Sequence, residues 1–201
     1  MHQDIKDPKI LAMQHKKIHQ DVMNWITTCV IGWKLCPFAA QPVIENRMKI
    51  HILTEADLPQ LLLTVYEQGQ HMLHHTSWLN TLIVTPYHWQ DFMHFWDAVA
   101  SVEEYCQDQN WEGMIQVASF HPQYQFAGEV DESVFSNRSP YPIFHLLHEE
   151  EMSHVLDHHP QAEDIADHNI QRLRQMGLAH IEEVFRQNQW TQSLRSLHEE
   201  S

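Results

Sequence analysis

Glycine is scarce in this chain, five residues in 201, and the familiar glycine-built phosphate cradles are missing. There is no G-x-G-x-x-G, no G-x-x-x-x-G-K-[ST] and no G-x-S-x-G, so Rossmann-bound NAD or FAD, P-loop nucleotides and an α/β-hydrolase elbow are disfavoured. Basic residues are also few: 12 Lys and Arg stand against 27 Asp and Glu, a formal net charge of −15 with histidine neutral. Such a chain repels phosphate backbones and anionic bilayers, so neither nucleic acid nor a membrane surface is an expected partner. The three cysteines, Cys29, Cys36 and Cys106, are odd in number and widely spaced, matching neither a disulfide framework nor a CxxC zinc or redox motif. No run approaches the roughly 18 apolar residues of a membrane helix, and Met1-His2-Gln3-Asp4 begins no signal peptide. A cytoplasmic protein with at least one free thiol is the expectation.

What is abundant is histidine, 18 residues spread from His2 to His198. That spread fits neither a tag nor a single metal-binding tract, and it makes the net charge move strongly on acidification.

The length suits one domain with a substantial core, 1–201, with about 1–8 and 191–201 expected to fray. Ile18, Val22, Trp25, Cys29 and Trp33 recur at helical steps, giving an amphipathic helix over about 7–34 that Pro37 and Pro42 terminate. Met48, Ile50 and Ile52 alternate as a strand. The stretch 54–57 resembles a capping box opening a helix that buries Leu58, Leu61, Leu62, Val65 and Tyr66. The β-branched run 81–85 is a second strand, Asp91 opens a helix through Phe95, Val99 and Val102, and 114–120 is a third strand. Two successive strand-helix-strand units predict an α/β fold: a small, largely parallel or mixed sheet of three to four strands covered by helices. An antiparallel, ferredoxin-like variant requires a further strand near 124–127. About twenty irregular residues follow Phe120, more than an ordinary connection needs. The spans 142–158, 162–176 and 178–189 then read as helices, giving a helical C-terminal portion.

The chemistry concentrates between His121 and Glu149. Between Lys49 and Arg172 the sole Lys or Arg is Arg138, so an anion handled there meets one permanent cation. Ser139 is placed to cap a helix beginning near Pro140 or Pro142, whose free amides would help hold a carboxylate or phosphate. Asn137, Arg138, Ser139 and Tyr124 are therefore the expected substrate-binding set. His121 lies just past a strand end, where open α/β sheets bind ligands, and is the candidate acid or base; Cys36 is the candidate nucleophile. The structural alternatives are a buried Arg138 ion pair, for instance with Glu149, a hydrogen-bonded loop histidine and an inert packed thiol. On a helix, His145, His148 and Glu149 would share one face and offer Zn or Fe three ligands, although H-x-x-H-E is not the metalloprotease order. Glu151-Met-Ser-His154 supplies half of a di-iron pattern, with no second E-x-x-H in the chain.

Three blocks in order, Cys36-Pro-Phe-Ala39, Gln116-Val-Ala-Ser-Phe-His-Pro122 running into Tyr124-Gln-Phe-Ala-Gly128, and Asn137-Arg-Ser-Pro-Tyr-Pro142 followed by His145-Leu-Leu147, resemble a bacterial family catalogued as domain of unknown function 1415. The resemblance spans roughly 25–177 and places signature blocks on Cys36, His121, Arg138 and His145. It implies no activity, substrate or cofactor, and where the family often carries Arg before the acid pair this chain has His148.

Three functions compete. The first is an enzyme acting on a small anionic metabolite, with Arg138 and a helix terminus as anion site and His121 and Cys36 as reacting groups. The second is a transition-metal-binding protein using His145, His148 and Glu149. The third is a non-catalytic interaction module presenting the long loop and the Trp- and Met-rich helices.

Overall fold

The computed structural model describes residues 8–75, 77–126, 131–150 and 165–197. Helix α1 (Pro8–Trp25) continues into a π-helical segment, Ile26–Ile31. The widened turn is carried by five-residue bonds such as Gly32 N–H to the Thr27 carbonyl and Leu35 N–H to the Val30 carbonyl. Its sequence, Ile-Thr-Thr-Cys-Val-Ile, is rich in β-branched residues that crowd an ordinary helix, and Thr27 Oγ1 bonds back to the Met23 carbonyl. One extra residue per turn re-aims everything beyond it, here the loop bearing Cys36 and the short α2 (Ala40–Ile44).

β1 (Met48–Ile52), α3 (Leu58–His74) and β2 (Asn80–Val84) form the first predicted unit, with β1 and β2 parallel. The cap of α3 is Asp57, which accepts from Gln60 N–H, rather than a box begun by Thr54. Asp91 caps α4 (Phe92–Asp108) as read from the sequence, and β3 (Ile115–Phe120) follows.

The main departure is β4 (Ile143–His148), which lies in a span that reads as helix. It inserts between β2 and β3, antiparallel to both, so the sheet order is β1-β2-β4-β3 and the sheet is mixed. β2 and β3 still run parallel to each other, one strand apart. Ile-Phe-His-Leu-Leu-His lacks the apolar-polar alternation of a half-exposed strand because it is central and covered on both faces. Pro142 at its start also imitates a helix opening. Within 124–126 only Phe126 takes part in an isolated β-bridge, while Ala127 and the remainder of the 142–158 span beyond residue 150 lie outside the described residues.

Helices α5 (Ile165–Met176) and α6 (Leu178–Gln187) meet at Gly177, whose φ of 77° suits glycine. Of the C-terminal stretch 191–201, expected to fray, Thr191–Leu197 forms a 3₁₀ turn in which Ser193 and Leu194 are buried, and 198–201 lie outside the described residues. Leu35, Phe135 and the faces of α5 and α6 join α1 against one side of the sheet, where Leu82, Val84 and Ile143 point. α3 and α4 cover the other side, where Ile83, Phe144 and Leu146 point. There Gly69 lies beneath Trp111, and a Cβ would sit 2.4 Å from the indole. Among the described residues no helix is long and apolar enough to cross a membrane.

Candidate functional site

The structure separates the residues singled out in the sequence into two places. The first is a buried knot at the C-terminal end of β3. His121 is wholly buried; its Nδ1 accepts from Gln123 N–H at 3.0 Å, so the ring proton sits on Nε2, 2.9 Å from the Trp89 carbonyl oxygen. That bond restrains Trp89, which holds a left-handed φ of 53°. Burial pulls the His121 pKa down to about 4, overriding the Trp89 carbonyl and Asp91, which favour the charged ring, while Arg138 reinforces burial. At neutral pH His121 is an uncharged imidazole with both nitrogens engaged.

Arg138 is 1% exposed. Its Nε donates to the Tyr124 carbonyl and its Nη1 to the Ser193 carbonyl, with the guanidinium 5.2 Å from the centre of the Phe135 ring. Burial lowers its pKa to about 10, leaving it charged at neutral pH. Ser139 caps no helix, because β4 follows; its Oγ donates to the Tyr141 carbonyl, and its carbonyl accepts from Ser193 Oγ. The helix terminus expected to complete an anion site is therefore absent at this point. Asn137 Nδ2 donates to the Ser119 carbonyl, Asn137 Oδ1 accepts from Ser136 Oγ, and the Asn137 carbonyl accepts His121 N–H. Tyr124, 7% exposed, packs edge-on to Phe126 and tilted on Phe92. The four expected substrate-binding residues thus tie the long loop, the sheet end and the C-terminal turn together.

The second place is a cavity of about 240 Å³ between the sheet and the end of α1. Its wall comes from Trp25, Ile26 and Val30, its rim from Cys36, Phe38 and Arg47, and its floor from Leu82, Ala118, Phe120 and His145. The π-helical turn places Ile26 and Val30 here, and Trp25 stands edge-on to Phe120 at 5.1 Å while donating its Nε1–H to the Arg138 carbonyl. Strand register explains the floor: His145 lies opposite Leu82 on β2 and Ala118 on β3, and Asn80 is one pleat along from Leu82.

Cys36 therefore shares a cavity with His145 and His148, and His121 is not among the lining residues. The helical face expected to gather His145, His148 and Glu149 does not exist, since His145 and His148 are strand residues three apart, an odd separation that alternates faces. Among the described residues no group of three or more His, Cys, Asp or Glu is arranged to hold a metal ion; Glu151 to His154 lie outside them.

The cavity's polar groups differ from those of the knot. Asn80 Oδ1 and His145 Nε2, on the cavity face of the sheet, are buried without hydrogen-bond partners. Burial takes the His145 pKa down to about 4 and raises the Cys36 thiol, against the lowering pull of the Phe38 and Ala39 amides. The site therefore presents a neutral imidazole, a protonated thiol and an amide carbonyl within an apolar wall. Asn80 carried no motif in the sequence; its one signal was a polar residue opening a strand whose other members are apolar or β-branched.

The chain matches, over residues 17–183, the model of a family described as "Protein of unknown function (DUF1415)". No curated protein and no solved structure matches it.

Proposed function

The chain belongs to the DUF1415 family, whose description assigns no activity, and from the geometry of the cavity we propose that it binds a small, largely apolar molecule between α1 and the sheet. The observation that carries this reading is that two buried polar atoms without partners, Asn80 Oδ1 and His145 Nε2, belong to diagonal neighbours on one sheet face that lines one apolar space. Such atoms cost about 1–3 kcal/mol each when left unsatisfied, which a bound molecule recovers. About 150 Å³ of apolar cavity admits benzene, so 240 Å³ suits one ring or a short chain with a head group. The anion-metabolite enzyme expected from the sequence finds less support, because Arg138 directs donors to backbone carbonyls and both nitrogens of His121 are engaged. The three free thiols and the net charge of −15 favour a reducing cytoplasmic setting and disfavour nucleic acid as partner.

The test is thermal unfolding with toluene as a minimal apolar probe. Saturable stabilisation is expected, and it should disappear in Ala118→Trp, whose indole would fill the floor while the protein still unfolds cooperatively. Absence of stabilisation in the wild-type protein overturns the reading.

One observation favours a second step, thiol chemistry on the bound molecule: Cys36 lines the cavity, whereas Cys29 and Cys106 are buried in the two cores. Alkylation by iodoacetamide, read by mass spectrometry, should then be faster at Cys36 than at Cys29 or Cys106 and slowed by bound toluene. A Cys36 rate that toluene leaves unchanged removes this step.

A further inference from the structure

The chemistry of the cavity's unpartnered atoms restricts what can lie against them. Among the described residues no Asp or Glu lines the space, so a cation entering it would find no carboxylate among them. Among the described lining residues the one permanent cation is Arg47, which already has the Glu45 carboxylate 3.6 Å away, so an anion would meet a charge that is in part neutralised. Moving either ion from water into an apolar wall costs several kcal/mol without a full partner. A neutral molecule avoids that cost.

Its polar group is narrowed further. Asn80, 8% exposed, has an unpartnered carbonyl oxygen, which accepts only, so the ligand must donate. His145 Nε2 takes either role according to its tautomer. The two residues sit on adjacent strands along a sheet diagonal, Asn80 opposite Leu147 and Leu82 opposite His145. Diagonal neighbours lie about 7–8 Å apart, within the span that two inward side chains and one small group can bridge. A group that donates and accepts from one atom suits both.

Resting on the binding reading above, we propose that the cavity takes a neutral hydroxyl-bearing molecule of about one ring, an alcohol or a phenol. The hydroxyl donates to Asn80 Oδ1 and accepts from His145 Nε2–H, and the apolar body lies among Trp25, Ile26, Leu82 and Phe120.

Calorimetric titration of the full chain at pH 7 with benzyl alcohol, phenol, toluene, benzoate and benzylamine tests this. Benzyl alcohol or phenol is expected to bind about five- to tenfold more tightly than toluene, the yield of one added hydrogen bond. Benzoate and benzylamine should give no saturable signal. Asn80→Leu should bring the alcohol down to the affinity of toluene while leaving toluene bound, and His145→Phe should narrow the gap likewise, so the outcome does not depend on one variant folding. Equal affinity of toluene and the alcohols in the wild-type protein, or a preference for benzoate or benzylamine, overturns the hydroxyl class and leaves the cavity as a binding site. No binding by any of the five overturns both.

Discussion

The knot around Arg138 and the cavity around His145 both bury polar side chains beside the same sheet, and they treat them in opposite ways. In the knot the groups singled out above have partners: both nitrogens of His121, the Nε and Nη1 of Arg138, and the amide and hydroxyl of Asn137 and Ser139. In the cavity Asn80 and His145 each present an atom with none. A satisfied buried group holds segments together, whereas an unsatisfied one costs stability unless something else supplies its partner. His121, Arg138, Asn137 and Ser139, which look chemical in the sequence, are thus held by partners here, and the better candidates for contact with a ligand are those that the fold leaves incomplete.

The comparison breaks most visibly if Arg138→Met proves tolerable. Loss of a buried cation with its donors should lower unfolding stability by about 3–5 kcal/mol, read from urea denaturation. An acid titration comes next. His121 and His145 both titrate near 4 when folded, against about 6.5 when unfolded, so between those values the unfolded chain binds more protons. Their contribution is complete above about pH 6.5 and is lost as pH falls toward 4, about 3 kcal/mol for each ring. Either His→Phe variant should flatten that profile by about one proton, but only His121→Phe should also lose stability at pH 7, since it frees the Trp89 carbonyl. Trp25→Phe, which cuts the one hydrogen bond from the cavity wall to the Arg138 carbonyl, should cost about 1–2 kcal/mol and alter ligand affinity, touching both regions together. The smallest effect carries the opposite sign: Asn80→Leu and His145→Phe should be neutral or stabilising by up to about 1 kcal/mol at pH 7 in the absence of ligand. A loss of 2 kcal/mol or more in both would mean that these atoms have partners after all.

Elements with a clear period were legible from the chain: α1, β1, α3, β2, α4 and β3 all lie close to where alternation, helical stripes and Asp91 put them. β4 was not, because a strand covered on both faces has no alternation to show, and that single misreading displaced the site. It turned His145 and His148 into helix neighbours of Glu149 and gave Ser139 a helix to cap. Cys36 and His145 were each found in sequence as members of short distinctive blocks. Their meeting was hidden, since it depends on the widened turn after Trp25 and on a strand that arrives 63 residues after Leu82 yet pairs beside it. Arg138 stood out as a lone cation, and charge counting cannot tell a cation offered to a ligand from one consumed by carbonyls.

The position of β4 also bears on how the chain reaches this state. β1, β2 and β3 are all synthesised before the strand that joins β3 to the others, so β2 and β3 must wait with facing edges open until residue 148 is available. Contacts that distant in sequence slow the search for the native arrangement, and open edges are where strangers pair. The floor of the cavity is assembled in the same late step, so the cavity does not exist on a nascent chain before the sheet closes at its middle.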